Sequence, residues 1–225
     1  MAAYYDINPR FYVAVDCIIF GFNQKGLSLL LLKRGMDPGR SEWSLMGGFV
    51  QRDESVDDAA KRVLKELTGL TNVYMEQVGA FGDINRDPGE RVISIAYYAL
   101  INIDEYDKES VKKHNAYWAE INSVPTLLFD HSLMVKQARD LMRRKASSEP
   151  ISFNLLPKLF TLTQLQHLYE TIYGGPIDKR NFRKKIAEMD FIEKTDMIDK
   201  SGSKRGAFLY KFNHNAYGKD SKFKL

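Results

Sequence analysis

Residues 48–70 combine glycine, acidic and basic residues at a spacing that suits phosphate and metal chemistry. Gly48, Glu54, Arg62 and Glu66 follow one another as G-x5-E-x7-R-x3-E. In a helix, positions 63, 66 and 67 lie within about 100° of one another, so carboxylates there would share one face. Such a face can hold Mg²⁺, which prefers oxygen ligands and which in hydrolysis polarises a phosphate and activates water.

Two of these three helix positions lack a side-chain oxygen, because they are occupied by Val63 and Leu67. Glu66 alone would bind a divalent ion poorly. We therefore predict little or no hydrolysis, no catalytic residue, no resident metal and no cofactor. Residual hydrolysis stays open, since further carboxylates could approach the same place, namely Asp53, Asp83, Asp87 and Glu90.

A second group of residues with suitable chemistry lies towards the carboxyl end. Arginine can donate two hydrogen bonds to guanine, asparagine can pair with adenine, and lysine suits DNA phosphates. For an isolated helix, a solvated basic face would be the simpler interpretation, but a preceding helix and a following basic hairpin favour DNA binding. The predicted DNA-binding residues are Lys179, Arg180, Asn181, Arg183, Lys184, Lys185, Lys204 and Arg205.

Hydrophobic periodicity predicts an α/β arrangement around the first group. Residues 11–22 and 27–33 are predicted to form a hairpin, and an apolar stripe at helical spacing runs from Val56 to Leu67. Ser55 and Gly69 are placed to begin and end that helix. The intervening residues 34–55 are predicted to be a loop. Further strands are expected at 73–81, 92–103 and 116–121, and a helix at 132–145.

The second half has the pattern of a winged helix-turn-helix. Thr161 and Gln164 form a predicted capping box, Gly174 ends that helix, and Asp178 caps the next one. Phe182, Ile186 and Met189 form the apolar side of the second helix, which leaves its basic residues facing away from the core. Residues 191–198 and 207–212 are predicted to form a hairpin with a basic turn.

The chain length favours two domains, because 225 residues are more than one compact domain usually contains. A small, polar stretch that ends in Pro150 places the boundary between residues 146 and 147, giving domains 1–146 and 147–225. Residues 1–145 carry 19 Lys and Arg against 20 Asp and Glu, whereas residues 146–225 carry 14 against 9. The basic second half favours a polyanionic partner.

The sequence predicts a cytoplasmic location and no membrane association, since no signal peptide or long apolar run is present.

The segment from Gly48 to Leu70 resembles the Nudix box, G-x5-E-x7-R-E-U-x-E-E-x-G-U, where U is aliphatic. Val63 and Leu67 replace two of its glutamates. The wider resemblance covers residues 10–145 and implies an α/β/α sandwich with a ligand cleft beside the Nudix loop and helix. It assigns Glu54 and Arg62 a structural salt bridge. The matching positions are Gly48, Glu54, Arg62, Leu64, Glu66, Gly69 and Leu70.

Residues 155–170 and 178–185 resemble the C-terminal domain of the Nudix-related transcriptional regulators, NrtR and AraR among them. The resemblance implies a homodimeric repressor that binds a double-stranded DNA operator and releases it when a metabolite fills the Nudix cleft. The chain looks most similar to the arabinose-responsive AraR branch, known from Bacteroides, which implies L-arabinose as the effector and sugar-utilisation genes as targets. An ADP-ribose-responsive regulator of NAD metabolism is the alternative.

The effector residues are the hardest to predict from sequence. Sugar sites combine carboxylates, arginine and an aromatic platform, which makes Asp16, Arg34, Trp43, Asp83 and Arg86 the candidates. Two other classes compete with a regulator. An active Nudix pyrophosphatase would show metal-dependent turnover, and a winged-helix protein-interaction module would bind a protein without affinity for DNA.

Overall fold

The structure is a computed structural model that describes residues 6–105, 115–201, 205–218 and 223. Four α-helices and ten strands are described. In chain order they are β1 (Tyr12–Asn23), β2 (Gly26–Lys33), β3 (Trp43–Ser44), β4 (Met46–Phe49), α1 (Val56–Thr68), β5 (Tyr74–Phe81), β6 (Val92–Asn102), β7 (Ala116–Glu120), α2 (His131–Ala146), β8 (Phe160–Thr161), α3 (Leu162–Tyr173), α4 (Lys179–Ala187), β9 (Ile192–Asp199) and β10 (Ala207–Phe212).

A mixed seven-stranded sheet forms the centre of the first half. Its strand order is β3-β2-β1-β6-β5, with β4 also paired to β1 and β7 to β2. Strands β1 and β6 are parallel, whereas β1 and β2 form the predicted hairpin, with Asn23 opposite Gly26. The central position of β1 is consistent with its near-continuous burial, since both faces of this strand are covered.

Helices α1 and α2 cover opposite faces of this sheet. Residues of β1 alternate between the two cores: Val15 belongs to the core under α1, and Ile18 and Phe20 belong to the core under α2. Helix α1 begins as predicted, with the Ser55 side chain accepting from the Asp58 N–H, and ends at Gly69 in the left-handed conformation. The predicted α/β/α sandwich is therefore confirmed.

The second half is a winged helix. The Thr161 and Gln164 capping box is present at the start of α3, and the Asp178 side chain caps α4 by accepting from the Asn181 N–H. A three-stranded sheet in the order β8-β10-β9 supplies the wing. These elements confirm the predicted helix-turn-helix and hairpin.

The two halves pack against each other through apolar side chains. One hydrophobic core extends without a break from the sheet face under α2 into the winged helix. The Phe22 ring of β1 lies 5.6 Å from the His167 ring of α3, and Arg143 Nε of α2 donates to the Ile172 carbonyl at 2.7 Å. The predicted boundary between residues 146 and 147 stays a prediction.

Two local expectations were wrong. The predicted loop at residues 34–55 contains β3 and β4, which pair with β2 and β1. Helix α4 ends at Ala187, so Met189 contributes its buried side chain from beyond the helix. Within the described ranges, no helix combines the length and the apolar character needed to cross a bilayer.

Candidate effector cleft and DNA-binding face

A cleft of about 370 Å³ opens beside the Nudix loop. It is bordered by β1, by β4 and by the segment that leads into α2. Gly47 on β4 lets the backbone approach closely, because a β-carbon at this position would collide with the Asp16 carboxylate. Side chains that line the cleft include Asp16, Arg34, Leu67, Arg86, Asp87, Phe129 and His131.

A buried ion-pair network forms one wall of the cleft. Arg86, whose side chain is 3% exposed, donates to Asp130 through Nε at 3.0 Å and through Nη2 at 2.9 Å. The same Nη2 lies 3.5 Å from Asp16 Oδ2, which also accepts from Ser94 Oγ at 2.6 Å. Two carboxylates thus hold the Arg86 guanidinium, and the Ser94 hydroxyl holds one of them, since a buried charge needs such partners.

His131 completes this wall in its neutral form. Burial is the largest influence on its pKa and lowers it, although the nearby Asp16 acts in the opposite direction. Nδ1 accepts from the Leu45 N–H at 3.2 Å, which leaves the proton on Nε2. Nε2 lies 3.5 Å from Asp16 Oδ1.

Arg34 and Phe129 form another part of the cleft. Within the described residues, Arg34 Nε is buried without a hydrogen-bond partner, and the guanidinium carbon lies 5.7 Å from the centre of the Phe129 ring. Phe129 has a φ of 53°, a left-handed conformation that is costly for a bulky residue and that concentrates at binding sites. The unused donor suits an oxygen atom of a bound anion.

The structure brings three of the five predicted effector residues together. Asp16, Arg34 and Arg86 line the cleft. Trp43 lies outside the lining, with its ring 5.7 Å from that of Tyr117, and the exposed Asp83 caps a turn by accepting from the Asn85 N–H. Sequence reasoning missed the roles of Phe129, Asp130 and His131, although this segment belongs to the stretch that resembles Nudix proteins.

The Nudix loop and helix hold their carboxylates in salt bridges. Arg62 donates to both Glu54 oxygens, at 2.9 and 2.7 Å, and lies 3.3 Å from Glu66. Val63 is buried against Gly48, where a β-carbon would lie 2.8 Å from Val63 Cγ2, and Leu67 lines the cleft. Glu54 and Glu66 are therefore both paired with the Arg62 guanidinium.

This donor set does not fit the divalent ions that Nudix hydrolases use. In the part of the chain that the structure describes, no group of three His, Cys, Asp or Glu side chains converges on a point. Of the four additional carboxylates considered from sequence, Asp87 lines the cleft, whereas Asp53, Asp83 and Glu90 are exposed outside its lining. Magnesium requires several such oxygens in octahedral arrangement.

The Glu54 and Arg62 pair is expected to persist in acid. Hydrogen bonds from Arg62 are the largest influence on the Glu54 carboxyl and lower its pKa from 4.5 to about 2. Because the folded pKa is depressed, the pair stabilises the fold fully above pH 4.5, and this contribution is lost as the pH falls towards 2. The Glu54 carboxyl carbon shift, followed by NMR, should show a midpoint near 2, and in Arg62→Gln it should move towards 4.5. A midpoint near 4.5 in the unmodified protein would contradict the assignment.

Helix α4 presents a continuous basic surface. Phe182 and Ile186 are buried against the core, whereas the predicted DNA-binding residues on this helix are exposed. Arg205 is exposed in the turn between β9 and β10, and Lys204 lies outside the described residues. The exposed set on α4 comprises Lys179, Arg180, Asn181, Arg183, Lys184 and Lys185.

A Nudix-fold domain with a cleft, joined to a winged helix with a basic exposed helix, is the architecture of a DNA-binding regulator. A NUDIX domain model matches residues 10–142, and a model of the NrtR DNA-binding winged helix domain matches residues 152–212. The chain is 36% identical over 208 residues to the ADPR responsive transcriptional repressor NtrR of Acinetobacter baylyi, covering 91% of this chain and 83% of that protein. The chain belongs to the family of Nudix-related, NrtR-type transcriptional regulators.

Solved structures agree with this assignment. Shewanella oneidensis NrtR complexed with a 27mer DNA superposes with a TM-score of 0.83 at 28% identity, covering 95% of this chain and 99% of that chain. The NUDIX domain of the same NrtR, complexed with ADP ribose, superposes with a TM-score of 0.52 at 26% identity, covering 63% and 97%. The predicted similarity to the arabinose-responsive branch is not supported. The Acinetobacter baylyi relative is an ADPR responsive repressor, and the Shewanella oneidensis NUDIX domain was solved with ADP ribose.

Proposed function

We propose that this protein is a DNA-binding transcriptional repressor whose Nudix cleft binds ADP-ribose as the effector. The observation that carries the proposal is the presence, in one chain, of an anion-suited cleft and an exposed basic helix in a winged helix. The similarity to the ADPR responsive repressor of Acinetobacter baylyi, over 83% of its length, supports both halves of the proposal.

The chemistry of the cleft favours ADP-ribose over L-arabinose. A cleft of about 370 Å³ is of the size that holds ligands much larger than a pentose, which would leave most of it unfilled. L-Arabinose carries no charge, whereas the diphosphate of ADP-ribose can accept from the unpartnered Arg34 Nε. The Phe129 ring offers an apolar surface to a ribose or a base.

We further propose that the cleft binds its ligand without hydrolysing it. Val63 and Leu67 offer no oxygen to a metal, and the Glu54 and Glu66 carboxylates already form salt bridges with Arg62. An ion that polarises phosphate and activates water would therefore lack a ligand set. In this proposal Arg34 and Arg86 orient the ligand, and the ion-pair network keeps Arg86 in position.

For the DNA half, Arg180, Asn181 and Arg183 are proposed to read base edges in the major groove, while Lys184, Lys185, Lys204 and Arg205 contact phosphates. Lys179 lies at the start of α4 and is included in the same surface. A homodimer that binds a palindromic operator, and a cytoplasmic site of action, stay predictions that accompany this role.

The experiment that tests the effector is a titration with two ligands. At about 100 times its Kd, ADP-ribose should raise the free energy of unfolding by about 2.7 kcal/mol, and L-arabinose at equal concentration should not change it. ADP-ribose should also release operator DNA in a gel-shift assay. Stabilisation by L-arabinose alone would overturn the assignment of the effector and leave the DNA-binding role intact.

The hydrolysis question needs a separate measurement. Incubation with ADP-ribose and Mg²⁺ or Mn²⁺ should yield no AMP at ordinary enzyme rates, which are about 1 to 1,000 per second. The variant V63E/L67E restores the two missing carboxylates and is the matched control, in which metal-dependent AMP formation should rise above that of the unmodified protein. Rapid turnover by the unmodified protein would instead identify a pyrophosphatase.

A further inference from the structure

A second cavity, of about 400 Å³, lies between residues 121–127 and helix α2. It shares no lining residue with the effector cleft. Residues 121–127 supply an apolar wall through Ile121, Val124 and Leu127, whereas α2 supplies charged side chains together with Val135. Its volume lies in the range of small-molecule sites, which are about 300 to 1,000 Å³.

Three cations from one face of α2 form the basic side. Lys136, Arg139 and Arg143 lie three and seven residues apart, within about 60° of one another around the helix axis. Asp140 is the acidic side chain in the lining, so positive charge exceeds negative charge there. Like charges at this spacing repel one another, and Asp140 offsets only one of the three.

Arg139 is the least satisfied of the three. Its side chain is half-buried, and within the described ranges it makes no hydrogen bond or ion pair. Burial is the largest influence on its pKa and lowers it, the neighbouring Arg143 lowers it further, and Asp140 acts in the opposite direction. A guanidinium that has lost water without gaining an acceptor is costly, and an incoming oxyanion would offset that cost.

We propose that this cavity is a second ligand site that takes a phosphate group. Arg139 holds the phosphate with help from Lys136 and Arg143, and the apolar wall contacts the remainder of the ligand. This site goes beyond the proposed function, because the effector cleft is formed by different residues.

The site lies directly beside the helix-turn-helix. Arg143 Nε donates to the Ile172 carbonyl in the last turn of α3, just before the turn that leads to α4. The phosphate can therefore come from two sources, either a phosphorylated small molecule or the backbone of the bound DNA. Both sources present the same oxyanion to Arg139, and the experiments below separate them.

The first experiment uses phenyl phosphate as the probe, with phenol and inorganic phosphate as controls. Calorimetry on the full chain should show saturable binding of phenyl phosphate, weaker binding of inorganic phosphate, and none of phenol. Arg139→Gln should weaken binding about 10-fold to 100-fold, the usual effect of removing one charge-assisted hydrogen bond. Arg144→Gln is the matched control, because Arg144 is exposed on the same helix outside the cavity and the charge change is identical.

The second experiment measures operator affinity against salt concentration. A lost phosphate contact reduces the slope of log K against log salt by about 0.9. If the DNA backbone is the source, Arg139→Gln should show this reduction relative to Arg144→Gln, even without phenyl phosphate binding. If a small molecule is the source, phenyl phosphate should bind and the slopes should agree. The proposal is overturned if Arg139→Gln matches Arg144→Gln in both experiments.

Discussion

Replacement of both Arg180 and Arg183 by alanine is expected to weaken operator binding by about 2 to 6 kcal/mol, since each bidentate contact to guanine contributes about 1 to 3 kcal/mol. That range corresponds to a loss of at least about 30-fold in Kd. Both side chains are exposed on α4, while Phe182 holds the helix to the core, so the fold should be unaffected. Fluorescence anisotropy with operator DNA at fixed salt measures the effect.

A matched control removes the same charge from the other half of the protein. Arg52 and Lys61 are exposed around the start of α1, and their replacement by alanine lowers the net charge by the same two units. Operator affinity should then change little at matched salt. Equal affinity in the Arg180 and Arg183 variant and in this control would refute the assignment of α4 as the reading helix.

Asp130→Ala is expected to lower the free energy of unfolding by about 3 to 5 kcal/mol, the usual cost of breaking a buried ion pair by removing one partner. Arg86 would keep Asp16 as a partner, but Nη2 lies 3.5 Å from that carboxylate, compared with 2.9 Å from Asp130. The buried guanidinium would therefore lose its two best hydrogen bonds. Urea denaturation followed by circular dichroism measures the change.

Asp37→Ala serves as the comparison for this variant. Asp37 pairs with Arg40 at 3.6 Å, and both side chains are mostly exposed, so the loss should be below about 1 kcal/mol. Similar losses in the two variants would mean that the Arg86 network contributes no more than a surface pair. The double replacement of Arg86 and Asp130 by Met and Leu should not restore the lost stability, because the buried Asp16 carboxylate would then lose its Arg86 partner.

Local signals made the helices and long strands predictable from sequence. Ser55, Thr161 and Asp178 cap their helices by contacts within three residues, and such contacts depend on few other parts of the chain. Strands β3 and β4 were missed because they are only two and four residues long, and two of the four residues of β4 are glycine. They form by pairing with β2 and β1, and their own residue preferences give little indication of it.

The effector cleft was only partly predictable because its contacts are long-range. Arg86 meets Asp130 across 44 residues, and the Asp16 side chain meets Ser94 across 78. Residue type alone suggested Asp16, Arg34 and Arg86, which the fold brings to one cleft. The same reasoning selected Trp43, whose ring contacts Tyr117 instead, because aromatic type does not indicate which side of a strand faces a ligand.

The unbroken apolar core that joins the sheet to the winged helix has a consequence for how a signal could travel. Phe22 packs against His167 and Arg143 donates to the Ile172 carbonyl, so the described winged-helix elements are packed directly against the sheet domain. The chain should therefore melt in a single calorimetric transition, and its two domains should move together as one rigid unit. In the predicted homodimer, a small rotation of one chain relative to the other would change the distance between the two α4 helices. Operator half-sites lie about 34 to 36 Å apart, so such a change would weaken DNA binding.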